Sequence, residues 1–205
     1  MARITRLNPW RSYSESDVIN MFSLDVVTGE AGSLVRVSNG NLSQDVVSYV
    51  ADNDWTSPLG HARSQYPITP VKVTKVTATG QAGVLGLMLR DVRSTDENGE
   101  NLKYYPEKKA ELQCVITGET VPIATRGFFE LNSSAFVNGV VPSVGQLAVP
   151  AANGQLTGVT AVGASAENRQ FSVGTWIATG NRVSQQDTDA YAGAFAVLHL
   201  DVKPA

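Results

Sequence analysis

The segment AFAVLHLDV at residues 194–202 is the clearest β-strand in the chain. His199 stands between Leu198 and Leu200. Because successive side chains of a strand point to opposite faces, we expect the two leucines in a core and His199 on the other face. VLGLMLRDV at residues 84–92 is apolar on both faces, which predicts a more deeply buried strand. Both segments favour β-sheets as the framework of the protein.

Short strands separated by turns recur on both sides of these two segments. Residues 71–77 alternate β-branched and polar side chains, and SNGN at residues 38–41 is typical of a turn. Residues 150–156 are typical of a hairpin tip. No long segment keeps a helical period, although 43–55 and 104–112 each have room for a short helix. We therefore predict a mainly β protein, with an antiparallel β-sandwich or barrel-like body and an extended N-terminal arm.

The N-terminal segment has a different composition from the remainder. Residues 1–25 are predicted to form the arm, and residues 26–205 form the β-rich body, with room for two subdomains. The arm contains an apolar patch made of Val18, Ile19, Met21 and Phe22. A segment this short cannot bury such a patch against itself, so we expect it to dock on its own body or on another chain. The body is expected to fold without it.

Composition disfavours several classes of function. The 205 residues, 42% of them hydrophobic, are enough to bury the core of one or two domains. Because 16 Lys and Arg stand against 19 Asp and Glu, no strong electric field exists to attract nucleic acid or an anionic membrane. No run of about 18 apolar residues predicts a membrane span, and no secretory signal is recognisable. We expect synthesis in the cytosol.

Candidate catalytic and metal-binding residues are few. The single Cys114 excludes an intrachain disulfide and a multi-thiolate metal site, and its alternating apolar context favours a core position. A calcium loop that starts at Asp52 would need a bidentate glutamate where Arg63 stands. We predict no catalytic residue, no cofactor and no metal, and hence no enzyme. The alternative is a hydrolase in which His61 acts as a base with Asp52 or Asp54.

Tryptophan and the apolar patch provide the candidate partner contacts. Trp176 lies in an apolar strand and is predicted to be a core residue. Trp10 and Trp55 are flanked by polar or turn residues and suit partner anchors, since aromatic residues are enriched at binding hot spots. Packing of Trp10 on its own domain is the alternative. The predicted partner contacts are Trp10, Val18, Ile19, Met21, Phe22 and Trp55.

Several segments together carry a resemblance to a known family. They are VKVTKVTATGQAGVLGLMLRDV (71–92), YYPEKKAELQCVITGETVPIATRGFFEL (104–131), PSVGQLAVPAANGQLTGV (142–159), FSVGTWIATGNR (171–182) and the closing AFAVLHLDV. The chain resembles tailed-bacteriophage capsid cement or decoration proteins over roughly residues 65–203. The resemblance includes no catalytic motif.

The resemblance implies a structural virion protein. Such a protein would be made in the host cytoplasm and would bind the outer surface of the mature capsid as a homotrimer. Its partner would be the major capsid protein, whose neighbouring copies it would hold together against internal DNA pressure. No individual interface residue carries over. The alternative function is a carbohydrate- or ligand-binding β-domain, because the motif DNDW at residues 52–55 places an aromatic side chain beside carboxylates.

Overall fold

The computed structural model describes residues 6–26, 28–41, 69, 71–162, 164–184, 189 and 191–202. Within these residues the chain is mainly β, as predicted, and no helix is long and apolar enough to cross a membrane. The short helix for which residues 104–112 have room is present as α1 (Pro106–Glu111), and α2 is Ala166–Gln170. Outside the described residues lie the predictions for the 52–55 motif with Trp55, for His61 and for a helix in 43–55.

One six-stranded sheet, the outer sheet, is antiparallel throughout. In spatial order its strands are β1 (Leu7–Ser12), β10 (Arg126–Asn132), β14 (Gly193–Asp201), β13 (Gly174–Arg182), β11 (Leu147–Pro150) and β12 (Leu156–Val159). The first strand of the chain therefore lies at one edge of this sheet, and the β11–β12 hairpin lies at the other.

A second six-stranded sheet, the central sheet, has one parallel pair, β3–β5, among antiparallel neighbours. Its strands in spatial order are β2 (Val18–Ile19), β9 (Ile123–Ala124), β6 (Val84–Met88), β4 (Leu34–Asn39), β5 (Lys72–Lys75) and β3 (Ser23–Leu24). A small parallel pair, the covering pair, is formed by β7 (Asp91–Val92) and β8 (Cys114–Val115). The prediction of antiparallel sheets is confirmed.

The central sheet is buried on both faces because neighbouring side chains enter different cores. Leu34 and Leu87 belong to the first core, which the central sheet shares with the outer sheet. Their neighbours Val35 and Met88 belong to the second core, which the covering pair closes. Burial on both faces explains why the sequence of β6 is apolar at nearly every position. The body is thus a sandwich of two sheets with a third, smaller layer.

Four predictions about buried residues are confirmed individually. Leu198 and Leu200 are fully buried in the first core, and His199 between them is exposed. Trp176 is also fully buried in that core. Cys114 is 1% exposed, and desolvation by burial raises the pKa of its thiol, as expected for a cysteine that packs as a small hydrophobic residue.

The N-terminal segment supplies strands to both sheets. β1 pairs with β10, β2 pairs with β9, and β3 pairs with β5. Leu7 lies in the first core, and Phe22 and Leu24 lie in the second. Of the two docking partners considered above, its own domain or another chain, the structure places the segment on its own domain. With these strands in place, we now expect the body to require them for folding.

A buried polar cluster ties the start of β1 to the central sheet. Arg6 Nη1 donates hydrogen bonds to Ser33 Oγ at 2.8 Å and to the Asn153 carbonyl oxygen at 3.0 Å. The Glu30 carboxylate lies 2.7 Å from Lys75 Nζ and 4.0 Å from Arg6 Nη2. Burial alone would raise the pKa of Glu30, but the hydrogen bond and charge of Lys75 and the charge of Arg6 outweigh burial, so this pKa lies below its usual value.

We expect Glu30→Gln to destabilise the protein by about 1–3 kcal/mol near neutral pH and by less in acid. The pKa of Glu30 is lower in the folded chain than in the unfolded chain. The contribution of Glu30 to stability is therefore complete above the pKa of the unfolded chain, about 4.5. It is lost as the pH falls through the lower pKa of the folded chain. Urea unfolding across this pH range measures the difference in unfolding free energy. Glu97→Gln, which changes an exposed carboxylate, is the control. A loss of stability in Glu30→Gln that does not change with pH would contradict the prediction.

Candidate functional site

The outer face of the outer sheet carries several aromatic side chains, and those of Trp10, Phe128 and His199 are exposed. We call it the aromatic face and define it by Trp10, Phe128, Phe195 and His199. Phe128 and His199 are cross-strand neighbours, and their rings stack with centroids 4.8 Å apart and planes 17° apart. Trp10 is 50% exposed and Phe128 is 37% exposed. Aromatic rings in this setting offer apolar contact area to a partner.

A polar network holds the strands of the aromatic face together. Glu130 Oε1 accepts hydrogen bonds from Asn8 Nδ2 and from Arg182 Nη2, each at 2.6 Å. The Arg182 guanidinium lies 5.8 Å from the centre of the Phe195 ring. Because these residues come from β1, β10, β13 and β14, the network spans four strands. Glu130 is 6% exposed, so its charge is buried with its partners in place.

The predicted partner contacts occupy different environments. Trp10 lies on the edge strand β1 and belongs to the aromatic face, and Met21 is 39% exposed. Val18 and Ile19 are half-buried, and they pack against the first and the second core respectively. Phe22 is 8% exposed inside the second core. Because its ring fills that core, we no longer count Phe22 among the partner contacts.

A groove of about 970 Å³ lies between the N-terminal segment and the part of the chain that contains α1 and the covering pair. Its lining includes Arg11, Tyr13, Arg90 and Gln113. Arg11 Nη1 donates to the Leu89 carbonyl oxygen at 3.3 Å. Gln113 has a φ of 49°, the left-handed conformation that often ends a helix, here α1. Guanidinium groups are the donors that an anionic or hydroxyl-rich ligand would use.

The ion pair between Asp96 and Lys108 of α1 explains the shifted pKa values of both side chains. Asp96 Oδ1 accepts hydrogen bonds from the backbone N–H groups of Asn98 and Glu100, and the carboxylate pairs with Lys108 of α1. The hydrogen bond between the two lowers the pKa of Asp96 and raises that of Lys108. The pair therefore holds the loop that contains Asp96 against α1. Across the residues that the structure describes, no three His, Cys, Asp or Glu side chains form a metal site.

Part of this site is predictable from the sequence. Trp10 is predicted to be a partner anchor, and the alternation around His199 predicts that this residue lies on the face opposite Leu198 and Leu200. No partner contact is predicted at Phe128, although alternation places Phe128 and Phe129 on opposite faces of a strand, so that only one of the two can enter the first core. The groove had no sequence signal because its walls come from segments far apart in the chain. Comparison with models of protein families, with curated proteins and with solved structures finds no match to this chain.

Proposed function

We propose that this protein is a bacteriophage capsid decoration protein. In this role it binds the outside of the mature capsid as a homotrimer and ties neighbouring copies of the major capsid protein together. The shell is thereby stabilised against internal DNA pressure. The observation that carries the proposal is the aromatic face of the β-sandwich, and the family resemblance of residues 65–203 adds to it.

The aromatic face suits a protein that binds its partner without catalysing a reaction. Aromatic side chains with fixed rotamers give large contact area at a small loss of conformational entropy. The stacking of Phe128 on His199 limits the motion of both rings. The hydrogen bonds of Glu130 to Asn8 and Arg182 hold the strands beneath them. The face is therefore organised before any partner arrives.

Repetition on a capsid would amplify a modest contact. A bound oligomer presents several copies of the aromatic face at once, and linking binding sites raises the effective concentration of each later contact. Each copy needs only a moderate affinity for the shell. Such a protein resists separation of neighbouring subunits because every contact must break for one subunit to leave.

Cosedimentation with expanded capsids assembled without this protein tests the proposal. We expect saturable binding and a higher temperature of capsid disruption when the protein is bound. Trp10→Ala and Phe128→Ala are each expected to weaken binding at least about tenfold, as truncation of a hot-spot aromatic does. Tyr104→Ala is the matched control, because Tyr104 is 65% exposed and lies outside the aromatic face.

Two results would contradict the proposal. One is that the folded wild-type protein does not cosediment with capsids at any protein concentration that the assay can reach. The other is equal heat stability of capsids with and without bound protein. If binding occurs but the Trp10 and Phe128 variants bind as the Tyr104 variant does, the aromatic face is not the contact surface.

The groove favours a second candidate function, a ligand-binding β-domain. Arg11 and Arg90 both line it, and guanidinium groups bind carboxylates and phosphates in a directed manner. A broad glycan array with the wild-type protein and with Arg90→Ala tests this candidate. Binding that Arg90→Ala abolishes would favour it over decoration, and no binding to the array would count against it.

A further inference from the structure

A long stretch of the chain carries no charged residue. Between Glu130 and Glu167 there is no Lys, Arg, Asp or Glu over 36 residues. Since 17% of the whole chain is charged, a stretch of this length would hold about six such residues on average. Much of the stretch is at the surface: Val140, Val144 and Val162 are 69%, 59% and 87% exposed. Surface without charge is the composition of the centre of a protein interface.

We call the exposed and half-buried residues within 137–146 and 156–162 the uncharged strip. Phe136 forms a parallel bridge with Leu156, and Gln155 Nε2 donates to the Phe136 carbonyl oxygen at 3.1 Å. A side chain on Gly158 would collide with Gln146 and Pro142. The loop before β11 therefore packs directly on β12.

β12 gives the uncharged strip an open sheet edge. Among the described strands it pairs only with β11, and the bridge at Leu156 covers only its first residue. Thr157, Gly158 and Val159 include no lysine and no proline, the usual protection of an exposed edge. The opposite edge strand, β1, has both Pro9 and a register shift. Only one edge of the outer sheet is therefore blunted.

We propose that the uncharged strip is a contact surface between copies of this chain. Burying a charge without a partner is costly, so an uncharged strip is best covered by another uncharged surface. A second copy supplies a surface of the same chemistry, and a strand from another part of that copy can pair with the open β12 edge. The inference rests on the self-association that is part of the proposed function and deepens it by identifying the surface that joins the copies, whatever the identity of the shell.

Light scattering coupled to size exclusion, at micromolar concentrations and without capsids, tests the inference. We expect the wild-type protein to be an oligomer. Val140→Asp and Val144→Asp, which place a charge in the strip, are each expected to weaken association at least about tenfold and to shift the mass toward that of a monomer. Val183→Asp is the matched control, because Val183 is 79% exposed and lies outside the strip. The oligomeric mass of this variant is expected to equal that of the wild type.

A monomeric wild-type protein, or strip variants that keep the wild-type mass, would overturn the inference. Thermal melts of each variant establish that it is folded, and two separate exposed positions guard against a local defect at one of them. If the strip variants keep their mass but lose capsid binding, the strip contacts the shell, and the proposed function stands without this inference. An oligomer that depends on the strip but does not bind capsids supports the inference alone.

Discussion

Removal of residues 1–24 is expected to abolish the cooperative unfolding transition of the protein. The deletion takes away β1, β2 and β3, and with them the buried side chains of Leu7, Phe22 and Leu24. Truncating one buried leucine or phenylalanine costs about 2–5 kcal/mol. The sum for three such side chains is comparable with the whole stability of an ordinary domain, about 5–15 kcal/mol.

The deletion also uncovers the strands that the segment pairs with. β10 would lose its neighbour at the edge of the outer sheet, and β9 would lose β2 in the central sheet. Newly open edges beside apolar side chains such as Phe129 and Leu131 favour aggregation. Glu130 would also lose the hydrogen bond from Asn8 while remaining next to Arg182. We therefore expect a truncated chain that is insoluble or without fixed tertiary packing.

Near-ultraviolet circular dichroism and a thermal melt of the truncated chain measure this effect. Full-length Trp10→Ala is the control, because it changes an exposed side chain of the same segment and is expected to keep the transition. A truncated protein that melts cooperatively near the wild-type temperature would show that the segment is an arm the body does not need. In that case its role would lie in assembly.

The parts of the fold that could be predicted from the sequence are those with a local period. The alternation around His199 places Leu198 and Leu200 in the core, and the structure agrees. The apolar run at 84–92 indicates burial on both faces, which is the position of β6 between two cores. Period-two alternation identifies faces because it depends only on neighbouring residues.

The parts that could not be predicted depend on contacts between distant segments. β2 and β3 have two residues each, too few for a period, and β2 pairs with β9 more than a hundred positions away. The sequence of residues 121–131 indicates two strands and a tight turn. Both strands exist, but Ile123 lies in the central sheet and Phe129 in the outer sheet, so they are not a hairpin. The Glu130 network and the groove are likewise formed only when the sheets pack.

Trp176→Ala is expected to destabilise the protein by about 3–5 kcal/mol. Its side chain is fully buried in the first core and meets the Phe136 ring edge-on, with centroids 5.2 Å apart and planes at 85°. Its backbone also holds the loop before β11, because its carbonyl oxygen accepts from Gly145 N–H at 2.7 Å and its N–H donates to the Gln146 carbonyl at 3.0 Å.

Trp176→Phe separates the packing of this side chain from its polar group. The indole Nε1 is buried and finds no hydrogen-bond partner among the described residues, and an unsatisfied buried donor costs about 1–3 kcal/mol. Phenylalanine removes that donor and leaves a smaller cavity, so we expect Trp176→Phe to lie within about 1 kcal/mol of the wild type. Chemical denaturation followed by far-ultraviolet circular dichroism compares the two variants. If phenylalanine destabilises as much as alanine, the indole N–H has a partner and contributes to stability, whereas a small loss for both would show that the core closes around the vacated volume.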